Sequence, residues 1–384
     1  MTHESGRISV ALASAGSPSV ASVALGSAGS PESRVLGPPD AESIVVVDDE
    51  LFLEHVAPPE HPERGARLLA VRAGLEQAEA DSQVRYTRLC ARDATDEQLA
   101  RVHDPAYIES IGHLAGRSGF LDSDTYLSPG SVPAARRAAG AAVALVEALH
   151  GGARFGFAVP RPPGHHALAD RAMGFCLLNN VAVAAAHARS LGYQRVLLLD
   201  WDVHHGNGTE AIFYGDPSVL FMSLHQYPNY PGTGAAADLG QGDGRGRNVN
   251  LPLPPGTGDA AYIAAFERVV SPIIEQFSPD FALVSCGFDA HERDPLAQML
   301  LSSQAYGAMT AQLLSALPAQ CPVGLVLEGG YDLIALRESS QAVVQALSAA
   351  GSAGLGNAPG ELASEQAAAL RDIQQVQAPY WRLA

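Results

Sequence analysis

The sequence predicts an α/β protein, a mainly parallel sheet flanked by helices on both faces, and three observations predict it. Short apolar runs alternate with longer segments of helical periodicity, the rhythm of βαβ units. The runs are apolar throughout rather than at every second residue, as strands covered on both faces must be. Titratable residues gather directly behind several runs, where an open parallel sheet binds its ligands.

The elements follow in order. "SIVVVDDE" (43–50) reads as a first buried strand, followed by a Pro-rich loop and a helix ending near residue 80. Residues 96–115 read as helical with a break near Pro105, and "SVPAARRAAGAAVALVEALHGG" as an alanine-rich helix closed by glycines. "RFGFAVP", "RVLLLD", "SVLFMSLH", "DFALVSCG" and "PVGLVLEGG" are the later strands. Helices over 177–192, 259–278 and 302–317 lie between them, and "LGQGDGRGRN" is a Gly-rich loop. The rhythm spans one domain over 42–350, with residues 351–384 as a C-terminal extension or helix. Residues 1–41, rich in Ala, Ser and Gly, read as a disordered extension, with export as the minority alternative, since the mixed-charge start and broken apolar run are poor for a signal peptide.

Composition narrows the function. The 384 residues are 47% hydrophobic, enough for a large core. The formal net charge of −17 argues against nucleic acid as a partner, because phosphate contacts need a basic surface. It suits a cationic substrate or solubility. The sequence has no apolar run of membrane-spanning length, so no membrane partner is expected. Four scattered cysteines without a C-x-x-C pair fit a reducing, cytoplasmic setting. A homo-oligomer is compatible with all of this.

Four strand ends carry polar chemistry: His165 and His166 after the first, "DWDVHHGNG" after the second, Asp289 after the third and Tyr331 after the fourth. Together they put a site at one edge of the sheet. Asp202 and His204 form a D-x-H pair able to grip one ion, and Asp289 would add a third ligand, leaving an open position as catalytic zinc sites do. Alone, D-x-H more often marks a surface ion pair, and the whole set of strand ends carries the metal reading.

"RPPGHHA", "MGFCLLNN", "DWDVHHGNGTE", "VSCGFDA" and "LEGGY", in that order, resemble the zinc-dependent histone deacetylase and acetylpolyamine amidohydrolase superfamily, on the side of its class II branch and bacterial homologues. The resemblance runs from about Val45 to about Leu347. It implies an arginase-like fold with about eight central strands. It also implies zinc on Asp202, His204 and Asp289, His166 as the base that passes a proton from water to the leaving amine, and Tyr331 as a donor to the carbonyl oxygen. Asp200 and Asn207 would orient His165 and His166. Potassium is implied on Asp200, Ser223 and the Leu224 carbonyl, beside carbonyls of Asp202 and His204, with a second site around 213–219. Ser223 also fits a plain buried serine.

Phe175 and Tyr230 would wall a narrow acyl-lysine tunnel, with Gly174 admitting backbone close to the alkyl chain. Asp124 would hold substrate backbone, a turn cap being the competing reading, and Leu296 would border the mouth. The implied function is removal of an acetyl or other acyl group from a linear amide. The partner is an acylated lysine peptide or a small acylated amine. Two alternatives stand: an acetylpolyamine hydrolase, against which Leu296 speaks because an apolar gatekeeper offers a distal ammonium no partner, and an inactive acyl-lysine binding module, against which His166 and Tyr331 speak. A dinuclear manganese ureohydrolase would need aspartates where Gly206 and His291 stand.

Overall fold

The computed structural model describes residues 43–81, 84–349 and 361–383; the expected extension over 1–41 lies outside them. Ten strands are present among these residues: β1 (Ile44–Asp48), β2 (Tyr86–Cys90), β3 (Gly119–Phe120), β4 (Tyr126–Leu127), β5 (Phe155–Ala158), β6 (Val196–Asp200), β7 (Val219–Gln226), β8 (Asn248–Leu253), β9 (Phe281–Cys286) and β10 (Val323–Leu327). Eight form one sheet in the order β2-β1-β5-β10-β9-β6-β7-β8, every pairing parallel. β3 and β4 make a separate antiparallel hairpin.

The central strands are buried along their whole length, as their unbroken apolar runs require. Helices Ser131–His150, Asn180–Ser190 and Leu333–Ser348 are among those covering the sheet. This is the arginase-like fold expected from the sequence. The two edge strands are not legible as apolar runs. β2 reads YTRLC and is half-exposed, and β8 reads NVNLPL, where Pro252 lacks a donor and is tolerated because β7 is its one neighbour.

Two helical expectations are refined. Residues 96–115 split into Asp96–Leu99 and Pro105–Gly112, with Pro105 in the first turn of the second helix. Residues 259–278 form Asp259–Ala265 and Ser271–Phe277 joined by a wider turn, Phe266–Val270, just before Pro272. Proline has no amide to continue the ladder, and the extra residue absorbs the mismatch. Near the C-terminus, helix Ser364–Gln377 packs against β8, and Trp381 Nε1 donates to the Gly246 carbonyl (3.0 Å).

The strands singled out by their polar ends, β5, β10, β9 and β6, are four consecutive neighbours in the middle of the sheet. Their loops therefore converge on one place.

Candidate active site

β6 ends at Asp200, and the chain then turns so that Asp202 and His204 face Asp289 from the loop after β9. One ligand atom from each lies within 4.8 Å of the others, and all three residues are buried. His204 Nδ1 stands 3.2 Å from Asp202 Oδ1 and 3.2 Å from Asp289 Oδ2. The second contact has ion-pair distance without hydrogen-bond geometry, so Asp289 Oδ2 has no donor. The other oxygens are held by backbone amides: Val203 N–H donates to Asp289 Oδ1 (2.8 Å) and Gly329 N–H to Asp202 Oδ2 (2.7 Å).

Glycine makes the room. A Cβ on Gly287 would fall 2.1 Å from Asp202 Oδ2, and one on Gly329 would fall 2.1 Å from Asp289 Oδ2. Two buried carboxylates, one imidazole and an oxygen without a donor call for a cation. Without an ion, and although burial opposes it, the two carboxylates push His204 up to about 10. The donor set suits zinc. Among the described residues this is the one such group, and the dinuclear alternative finds no ligands. Gly206 packs on Asp200, and His291 turns to the Ser303 hydroxyl (3.0 Å).

The histidine pair stands beside the metal set. His165 Nδ1 donates to Asp200 Oδ2 (3.0 Å), and His166 Nδ1 donates to Asn207 Oδ1 (2.7 Å). Both rings are buried, yet they titrate oppositely. Against the cost of burial, Asp202 and Asp200 hold His165 well above the ordinary histidine range. Burial, then His165 and His204, hold His166 well below it. Asn207 opens the helix Asn207–Phe213, so its side chain points back at the pair.

A pocket of about 240 Å³ opens over this cluster, and its lining includes Asp124, His165, His166, Gly174, Phe175, His204, Tyr230, Leu296 and Tyr331. All five residues expected to meet substrate are thus present. Gly174 and Phe175 both carry positive φ, 56° and 69°. That conformation is costly for phenylalanine. The Phe175 amide is fixed by Thr125 Oγ1 (3.1 Å), and its ring meets Tyr331 edge-on at 5.9 Å. A Cβ on Gly174 would lie 2.5 Å from the His166 ring. Tyr230 stands edge-on to His166 at 5.2 Å. At the turn, Asp122 does the capping, accepting from the Asp124 and Thr125 amides (3.1 and 2.6 Å). Asp124 is left to line the pocket, where burial and Asp122 push it up to about 6.

Ser223 pairs with Asp200 across β6 and β7 and contacts His225 Nδ1 (3.0 Å). His225 Nε2 donates to the Gly234 carbonyl (2.9 Å), so Nδ1 is the acceptor and Ser223 the donor, which leaves the serine lone pairs unclaimed.

Sequence reading missed the scaffold below the pocket. Arg67 donates to Glu63 (2.9 Å), to the Glu328 carbonyl (2.5 Å) and to the Gly330 carbonyl (2.5 Å), and its guanidinium lies 4.9 Å from the Tyr331 ring centroid. Arg161 grips the same Glu63 with two bonds (2.5 and 2.9 Å). The i,i+4 spacing of Glu63 and Arg67 was a signal, but it looks like any surface helix pair.

Comparison with known proteins agrees with this geometry. The histone deacetylase domain family model matches residues 61–347. The chain is 43% identical to an uncharacterised protein of Synechocystis over 77% of its length and 96% of that protein. It is 43% identical to a histone deacetylase-like amidohydrolase of Pseudomonas aeruginosa, over 68% of the chain and 71% of that protein. It is 41% identical to histone deacetylase 15 of Arabidopsis thaliana over 79% of the chain, spanning 56% of that protein's length. The crystal structure of the HDA15 HD domain superposes with a TM-score of 0.81 at 38% identity, covering 89% of this chain and 96% of that one. A matching domain over most of the chain and a matching fold together make this chain a member of the histone deacetylase family.

Proposed function

We propose that this protein is a zinc-dependent deacetylase that hydrolyses the side-chain amide of an acylated lysine, or of a related alkylamine. The observation that carries the reading is the convergence of a neutral, amide-oriented His166, the Tyr331 phenol and the buried Asp202–His204–Asp289 set on one pocket.

Asp202, His204 and Asp289 would hold the zinc, which when bound supplies Lewis acidity toward the carbonyl and the attacking water. His166 donates from Nδ1 to Asn207, so Nε2 is its basic nitrogen. That atom takes the proton of the attacking water and delivers it to the departing amine. His165, kept cationic by Asp200 and Asp202, offsets the carboxylate charge beside it and favours a neutral His166. Burial raises the Tyr331 hydroxyl far above its ordinary range, so it remains a donor to the oxygen on which charge develops. Phe175, Tyr230 and Gly174 surround the alkyl chain, and Asp124 at the mouth accepts from substrate amides. Leu296, 36% exposed at the rim, favours a peptide-like acyl-lysine over a polyamine. Asp200, Ser223 and the Leu224 carbonyl form a candidate potassium site, with the free lone pairs of Ser223 in its favour. Four free cysteines suit a reducing, cytoplasmic setting.

The test is metal analysis with kinetics on an acetyl-lysine peptide, acetylputrescine and acetylspermidine. The expected result is about one zinc per chain and a preference for the peptide. Preference for acetylspermidine would replace the lysine reading with the polyamine one. Zinc without hydrolysis of any of the three would favour a binding module. Because the chain contains no lysine, acyl-lysine detection reports on substrate alone.

A further inference from the structure

The segment from Glu328 to Tyr331 has little intrinsic rigidity, since two glycines precede the tyrosine and Gly330 has φ of 112°. It is nevertheless tied at every residue. Arg67 takes the carbonyls of Glu328 and Gly330, and Asp202 takes the Gly329 amide. The last tie is Asp294. Its Oδ2 accepts the Tyr331 amide at 2.7 Å, and its Oδ1 accepts the Leu296 amide at 3.0 Å. Asp294 is 7% exposed and sits in the loop after β9, whereas Tyr331 sits in the loop after β10. One carboxylate therefore joins the residue at the pocket mouth to the residue at its reacting end. Beyond Tyr331 the chain enters the helix Leu333–Ser348, capped by Asp332, so no slack remains on that side.

Resting on the proposed role of Tyr331, we propose that Asp294 is a positioning residue that sets the placement of the Tyr331 hydroxyl through its backbone amide. Asparagine cannot reproduce the arrangement. Its single oxygen accepts one of the two amides, and its NH₂ meets the other donor to donor. With that tie weakened, Tyr331 shifts about Gly330 while Arg67 and Asp202 hold the residues before it, and the phenol loses alignment in the transition state more than substrate loses binding.

The experiment is a double-mutant cycle of Asp294→Asn and Tyr331→Phe on the zinc-loaded enzyme, with zinc content and thermal midpoint recorded for each variant. Asp294→Asn should lower kcat about tenfold with KM nearly unchanged, as expected when an interaction made only in the transition state is misplaced. In the Tyr331→Phe background the same change should cost less than about twofold, because the group it positions is absent. Equal loss in both backgrounds, or unchanged kcat in the native background, overturns the proposal while leaving the role of Tyr331 standing. If Tyr331→Phe itself keeps full rate, the role of Tyr331 and the proposal fall together. Should Asp294→Asn fail to fold, Asp294→Glu, which keeps the charge but moves it by one methylene, is read in the same cycle with the same outcomes.

Discussion

Two buried charge clusters lie near the same sheet edge and meet opposite fates. In the first, Glu63 is shared by Arg67 and Arg161, and the guanidiniums spend their remaining donors on the Phe52, His55, Glu328 and Gly330 carbonyls and the Tyr126 hydroxyl. Despite burial, the arginines hold Glu63 well below the usual carboxylate range. In the second, two carboxylates face one imidazole, and Asp289 Oδ2 has no donor. The first cluster is closed by the protein itself and makes a scaffold. The second leaves a carboxylate oxygen without a donor, and that shortage makes it a site.

The strongest way to break this contrast is Asp289→Ala. It should remove bound zinc and bring deacetylation to background, read by metal analysis and turnover; zinc retained at about one per chain would end the ligand assignment. Next comes Glu63→Gln, which leaves two guanidiniums without a counter-charge. It should cost about 3–5 kcal/mol in denaturant unfolding, the usual result of removing one partner of a buried ion pair. A loss below about 1 kcal/mol would mean that the first cluster is not closed as described.

A third prediction adds a neutral group to the comparison. His103 donates from Nδ1 to the Leu168 carbonyl (2.9 Å) and accepts the Asn179 amide at Nε2 (2.9 Å), so a second proton would face a donor. Burial lowers its pKa from 6.5 to about 4. The unfolded chain takes up the proton first as pH falls, so stability is full above pH 6.5 and declines toward pH 4, by about 3 kcal/mol from this residue. Unfolding at pH 7 and pH 5 should show a smaller decline for His103→Gln than for the native chain. The smallest effect is at the rim. Leu296→Glu should raise kcat/KM for acetylspermidine relative to acetyl-lysine peptide several-fold, since a partly solvated charge pair is worth about 1 kcal/mol. An unchanged ratio at fixed ionic strength would remove Leu296 from substrate choice.

What the sequence reveals follows the same division. β5, β6, β9 and β10 announce themselves because strands buried on both faces must be apolar throughout, and their polar ends stand out against those runs. β2 and β8 stay hidden because an edge strand is free to be mixed in character. Asp202, His204 and Asp289 are legible as a set because ligands cluster at strand ends. Arg67 and Asp294 are not, because each acts by holding backbone atoms of a distant loop, and a backbone carbonyl or amide leaves no trace in the residue alphabet.

Gly287 and Gly329 act as the mould of the candidate metal centre. Neither has a left-handed backbone, so alanine would suit the local chain at both, and the obstacle is space alone. One added carbon would displace a carboxylate oxygen while every ligating residue stayed in the sequence. Ligand inventory and site competence are therefore separable in this family. A homologue with all three ligands intact and alanine at either glycine would pass a motif search and still lack a working centre.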